Sequence, residues 1–124
     1  MQQASDYELE VMKIIWANGG TALYAEIVAG LDAKNNSLTK NTILTLLSRL
    51  IEKEMLKTSK TGRRNIYTAI VSEDDYQADQ TIRFLDKIYD GSTRGLVATL
   101  ISRNLLSKSE YHDLQSQWGN DTDE

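Results

Sequence analysis

A chain of 124 residues can form one or two small units, and the absence of cysteine excludes a disulfide framework and any thiolate metal site. The formal net charge of −4 argues against a uniformly basic nucleic-acid binder. That charge is unevenly placed, however: residues 1–70 hold nine Lys or Arg against seven Asp or Glu, and residues 71–124 hold five against eleven.

The first predicted element opens at Ser5-Asp6-Tyr7-Glu8, where a serine and a glutamate three positions apart form a capping box. Leu9, Val11, Met12, Ile14, Ile15 and Trp16 continue it as an apolar helical stripe, and Asn18-Gly19-Gly20 stops it through a left-handed exit. Thr21 can cap a second helix over 22–31 that buries Ala25, Ile27, Val28 and Leu31. A polar turn over 32–37 leads into the third.

That third helix, from Thr39 to Lys53, carries Ile43, Leu46, Leu47, Leu50 and Ile51 on one stripe. Its other face holds Asn41, Thr45, Ser48 and Arg49 rather than the Glu and Lys of an ordinary solvated surface. Short hydrogen-bonding groups beside a guanidinium are the donor and acceptor set that reads base edges and phosphates. A core helix with a small polar face is the alternative reading of this element alone.

Two segments rich in β-branched and aromatic residues follow, from Met55 to Ser59 and from Arg64 to Ile70, around a turn containing Gly62. They predict a β-hairpin. Lys57, Lys60, Arg63 and Arg64 lie on it, with no acid between Lys57 and Ile70. Three helices and then a basic hairpin is the order of a winged helix-turn-helix. A nucleic-acid footprint needs only such local basic surface, not a basic chain.

The remainder reads as three short helices. Ser72-Glu73-Asp74-Asp75 is a capped, acid-rich first turn, followed by Ala78, Ile82, Leu85 and Tyr89 at helical spacing and a stop at Asp90-Gly91-Ser92. A second helix over 93–104 is apolar at Leu96, Val97, Leu100 and Ile101. A capping box at Ser107-Lys108-Ser109-Glu110 opens the third, with Tyr111, Leu114 and Trp118. These stripes make a meagre core by themselves and would bury better against a second copy, although a helical cap folded on its own domain is the competing arrangement. The expected fold is therefore mainly α with a small β-hairpin. It consists of a winged helix-turn-helix over 1–71, a three-helix dimerisation segment over 72–118, and a disordered acidic tail over 119–124.

At this point the chain resembles the penicillinase-repressor (BlaI/MecI/CopY) family of winged-helix regulators. The resemblance lies in Glu8 to Trp16, Asn41 to Leu50, Gly62 to Tyr67 and Asp86 to Ser92, in order along nearly the whole chain. It implies a homodimeric transcriptional repressor whose third helix enters the major groove while the C-terminal helices dimerise. Members of the family control β-lactam resistance or copper-transport genes, and a sensor protease is a further implied partner. Copper-responsive members carry paired Cys-x-Cys motifs, which this chain lacks, and its single histidine, His112, reads as an exposed helix residue. Antibiotic-responsive members are inactivated by cleavage at an Asn-Phe bond, and the matching positions here are Thr99-Leu100. The operator, the regulated genes and the inducing signal are not readable from the sequence.

These readings place Lys40, Asn41, Thr42, Leu44, Thr45, Ser48 and Arg49 at the DNA on the recognition helix, with Lys57, Lys60, Arg63 and Arg64 at the phosphates from the wing. Ile82, Leu85, Tyr89, Leu96, Val97, Leu100, Ile101 and Leu114 are assigned to the dimer interface. No catalytic residue, cofactor or metal is expected. The acid pairs sit at helix starts, where capping and the helix dipole account for them, and no phosphate-binding glycine pattern occurs. The partners expected are double-stranded operator DNA and a second copy of the chain, in the cytoplasm and without a membrane span. A winged-helix module that docks an acidic protein partner through Arg63 and Arg64 is the competing function.

Overall fold

The computed structural model describes residues 1–118, so the tail expected over 119–124 lies outside the described residues. The elements in chain order are α1 (Asp6–Ala17), β1 (Thr21–Leu23), α2 (Tyr24–Ala33), α3 (Lys40–Glu52), β2 (Leu56–Thr61), β3 (Arg64–Ala69), α4 (Glu73–Tyr89), α5 (Thr93–Ser102) and α6 (Lys108–Trp118). Helices α1 to α3 and an antiparallel sheet of order β1-β3-β2 form a winged helix-turn-helix.

The N-terminal capping box is present: the Ser5 hydroxyl accepts from the Glu8 amide, and the Ser5 amide donates to Glu8 Oε1 at 3.0 Å. At the far end of α1, Gly19 and Gly20 have φ of +82° and +90°, the left-handed exit that two glycines supply without a Cβ penalty. Val11, Met12, Ile15, Ile27, Leu31, Ile43, Leu47, Leu50, Met55 and Leu56 pack into one core. The α1 and α3 stripes are thus buried as their spacing requires, with Leu9, Trp16 and Ile51 half-buried against the core.

The second helix departs from expectation. Thr21 does not cap it, because Thr21–Leu23 pairs as a strand with β3 (Thr21 opposite Thr68, Ala22 opposite Tyr67), and the Thr21 and Thr68 hydroxyls meet at 3.2 Å. α2 therefore begins only at Tyr24, with the Leu23 amide held by Glu26 Oε1 at 2.8 Å. Ala25, expected in the core, is exposed, while Ile27 and Leu31 are buried and Val28 is half-buried against them.

The hairpin forms with a tighter turn than the segments suggested. β2 runs on to Thr61, opposite Arg64, leaving a two-residue loop of Gly62 and Arg63. Gly62, at φ +63°, takes the first central position, where such a loop needs the left-handed freedom of glycine.

The first compact unit spans Met1–Gln80, past the break expected after Val71. Its extension has a clear cause. Tyr76, on the first turns of α4, is buried, accepts from the Ala4 amide at 2.9 Å through its hydroxyl, and lies 5.8 Å from the Trp16 ring. The Trp16 indole in turn donates to the Val71 carbonyl at 2.9 Å.

Glu8 is the one buried charged residue of the described core, at 2% exposure. Lys53, just beyond α3, donates to Glu8 Oε1 and to the Gln3 carbonyl, tying the start of α1 to the end of α3. Burial by itself would raise the Glu8 pKa. The Lys53 and Ser5 hydrogen bonds and the positive charge of Lys53 and Arg49 outweigh it and hold the carboxyl below its ordinary 4.5. A depressed folded-state value stabilises the fold above the unfolded pKa and is lost as pH falls through the folded one. Urea unfolding followed from pH 6 to 3 should therefore show the wild type losing stability relative to Glu8→Gln once the pH drops below about 4.5. Parallel curves for the two proteins would show that the pair contributes nothing to acid sensitivity.

Candidate nucleic-acid interface

The third helix owes its two faces to its sequence. Thr39 caps it, accepting from the Thr42 amide at 3.2 Å, and burial of Ile43, Leu46, Leu47 and Leu50 turns the opposite face outward. Lys40, Asn41, Thr42, Leu44, Thr45, Ser48 and Arg49 are all exposed on α3. Six of the α3 residues, Asn41, Leu44, Thr45, Ser48, Arg49 and Glu52, line one open depression of about 380 Å³.

Two of the expected hydrogen-bonding groups are already engaged. The Thr42 hydroxyl lies 2.9 Å from that of Thr39, and the Thr45 hydroxyl donates to the Asn41 carbonyl at 2.9 Å. No described side chain engages the Asn41 carboxamide, the Ser48 hydroxyl or the Lys40 ammonium. They remain available to a ligand.

A larger concavity, about 690 Å³, brings the start of α3 together with the hairpin. It is lined by Lys40 and Leu44 of α3, by Arg63, Arg64, Asn65 and Tyr67 of the hairpin, and by Leu23, Tyr24 and Ala25 where β1 gives way to α2. Three cations and no acid line it, over a floor of aliphatic and aromatic side chains. This is suited to an anionic backbone. The structure thus joins Lys40, Leu44, Arg63 and Arg64, which the sequence placed in two separate elements.

The other two hairpin lysines are placed differently. Neither lines the concavity. Lys57 pairs opposite Thr68, on the sheet face away from Leu56 and Tyr67, whereas Lys60 pairs opposite Asn65 on the Leu56 face. The period of two along β2 divides them. Tyr24, Asn65 and Glu52 were missed as site residues. Asn65, adjacent to Arg64 and free of acidic neighbours, could have been found from sequence. Tyr24 could not, because its position depends on the pairing of β1.

The second unit begins at Thr81. Within it, Ile82 is 59% exposed, Ile101 51% and Leu114 52%, while Leu85, Tyr89, Leu96, Val97 and Leu100 are half-buried. Phe84, Ile88 and Leu105 add exposed apolar surface that the helical stripes did not include, and Trp118 of the last stripe is exposed as well. No residue of α5 or α6 is buried.

Residues 4–120 match the family model of the penicillinase repressor. The chain belongs to the penicillinase repressor family. It is similar to the penicillinase repressor of Bacillus licheniformis, with 36% identity over 112 residues covering 90% of this chain and 86% of the relative. It is also similar to the penicillinase repressor of Staphylococcus aureus, with 32% identity covering 87% of this chain and 84% of the relative. Among solved structures, the monomeric form of the Bacillus licheniformis repressor BlaI in complex with the blaP half-operator superposes with a TM-score of 0.51 at 41% identity, covering 60% of this chain and 89% of that one. No helix among the described residues is long and apolar enough to cross a membrane.

Proposed function

We propose that the chain is a sequence-specific, DNA-binding transcriptional repressor acting as a homodimer on a dyad-symmetric operator. The observation that carries this is the outward face of α3, where Asn41, Ser48 and Arg49 stand exposed beside a concavity that joins Lys40 to Arg63 and Arg64. α3 occupies the major groove, where Asn41, Ser48 and Arg49 meet base edges and Leu44 and Thr45 add contacts beside them. Lys40, Arg63 and Arg64 grip phosphates, fixing register without reading sequence. The BlaI complex with a half-operator supports this placement, since that protein is 41% identical over the superposed region.

The homodimer rests on the second unit, whose exposed apolar side chains exceed what three short helices can cover themselves. A second copy buries the α4 to α6 stripes through Ile82, Leu85, Tyr89, Leu96, Val97, Leu100, Ile101 and Leu114. The protein works in the cytoplasm. Its release requires a signal that cuts or unpacks this unit, by a sensor protease or an effector.

The reading is tested on Asn41. On its preferred duplex, Asn41→Ala should lose about 1–3 kcal/mol and discriminate less sharply, while its affinity for random duplex stays at the wild-type level. Equal losses on both duplexes would place Asn41 off the bases and favour a protein-docking role for this face.

A further inference from the structure

We infer that Thr45 reads the C5-methyl group of a thymine, and does not hydrogen-bond to a base as a donor; this rests on the DNA-binding reading above. The ground is the 2.9 Å bond from the Thr45 hydroxyl to the Asn41 carbonyl one turn earlier. A hydroxyl has one proton, and this one is spent on the helix's own backbone. What Thr45 then offers the groove beyond a serine is its methyl group.

The surroundings agree. Leu44, 36% exposed, is adjacent in the chain and lines the same depression as Thr45, so an aliphatic strip crosses the middle of the face. Asn41 lies one turn before Thr45 on that depression and Ser48 one turn after it, both with side chains no other described group engages. Polar readers therefore flank an apolar one. In the major groove only thymine presents a methyl group, so an apolar strip between hydrogen-bonding groups selects a T·A pair at that step. Ser48, whose hydroxyl proton is uncommitted, is the hydroxyl on this face able to donate.

The test uses the full-length protein and the duplex it enriches from a randomised pool. Each thymine of the half-site is replaced in turn by deoxyuridine, which removes the methyl and nothing else. At one thymine the wild type should lose affinity about four-fold, the size expected for a methyl-sized group withdrawn from an apolar contact. Thr45→Ser should bind the thymine and uracil duplexes alike at that position. Thr45→Val, which keeps a methyl and cannot make the backbone bond, should retain the discrimination.

A half-site indifferent to uracil at every thymine would overturn the inference while leaving specific binding intact. So would a Thr45→Ser protein that keeps the wild-type penalty, or a Thr45→Val protein that loses it. Failure of the pool to enrich any duplex would remove this inference together with the DNA-binding reading.

Discussion

A chain ending at Gln80 should be a folded monomer that binds the intact operator roughly 10²- to 10⁴-fold more weakly than the full protein. The break is set by the structure. The first unit includes Tyr76, whose hydroxyl accepts from the buried Ala4 amide, and Val71, whose carbonyl accepts from the Trp16 indole. Ending at Gln80 keeps both bonds, whereas ending at Ile70 deletes both acceptors and uncovers the Trp16 ring. Losing both bonds and the packing of Tyr76 against Trp16 should leave the shorter chain measurably less stable. The affinity loss has a different origin. One winged unit holds one half-site, and a dimer binds its second half-site at the high effective concentration set by the first. Sedimentation of the Gln80 chain, with thermal unfolding and titration of the full operator, checks all three statements. Operator binding as tight as that of the intact protein would show that the second unit does not supply the dimer contact.

Replacing Arg63 and Arg64 together by alanine should weaken binding to every duplex, preferred or random, by about a hundredfold or more near physiological salt. Each cation that neutralises a phosphate releases counterions, adding about 0.9 to the slope of log affinity against log salt. Two such contacts per winged unit, doubled in a dimer, should lower that slope by nearly four. The fold should survive, since both side chains are exposed and the turn geometry belongs to Gly62. Lys57 provides the contrast. It lies outside the concavity that both arginines line, so Lys57→Ala should change the slope less than either arginine. A double variant with the wild-type slope would remove the hairpin from the phosphate backbone.

The features legible in the sequence were those written in local chemistry. The capping boxes at Ser5 and Ser107, the stop at Gly19-Gly20 and the apolar stripe of α3 each depend on residues within a few positions, and all are present in the fold. What was illegible depends on distant pairing. β1 has three residues, too few to show a period of two, and it forms only because β3 lies beside it. Its presence moved the start of α2, exposed Ala25 and carried Tyr24 to the rim of the concavity.

Tyr76 reads as an ordinary polar position of an acidic helix, since its partners Ala4 and Trp16 lie far back in the chain. The Glu8–Lys53 pair is hidden in the same way, each residue having a sufficient local explanation. On α3 the sequence showed which side chains face outward, but it could not show that the hydroxyls of Thr42 and Thr45 are already engaged. That fact changes the chemistry expected of the face.

Selection of duplexes from a randomised pool by the full-length protein, followed by competition of the enriched duplex against random DNA, decides whether this α3 face reads DNA sequence for a dimer. A dyad-symmetric sequence with half-sites one or two helical turns apart should be enriched. That sequence should be preferred roughly 10³-fold or more over random duplex at physiological salt. No enriched sequence, with equal affinity for every duplex, would contradict a DNA-reading role for this face.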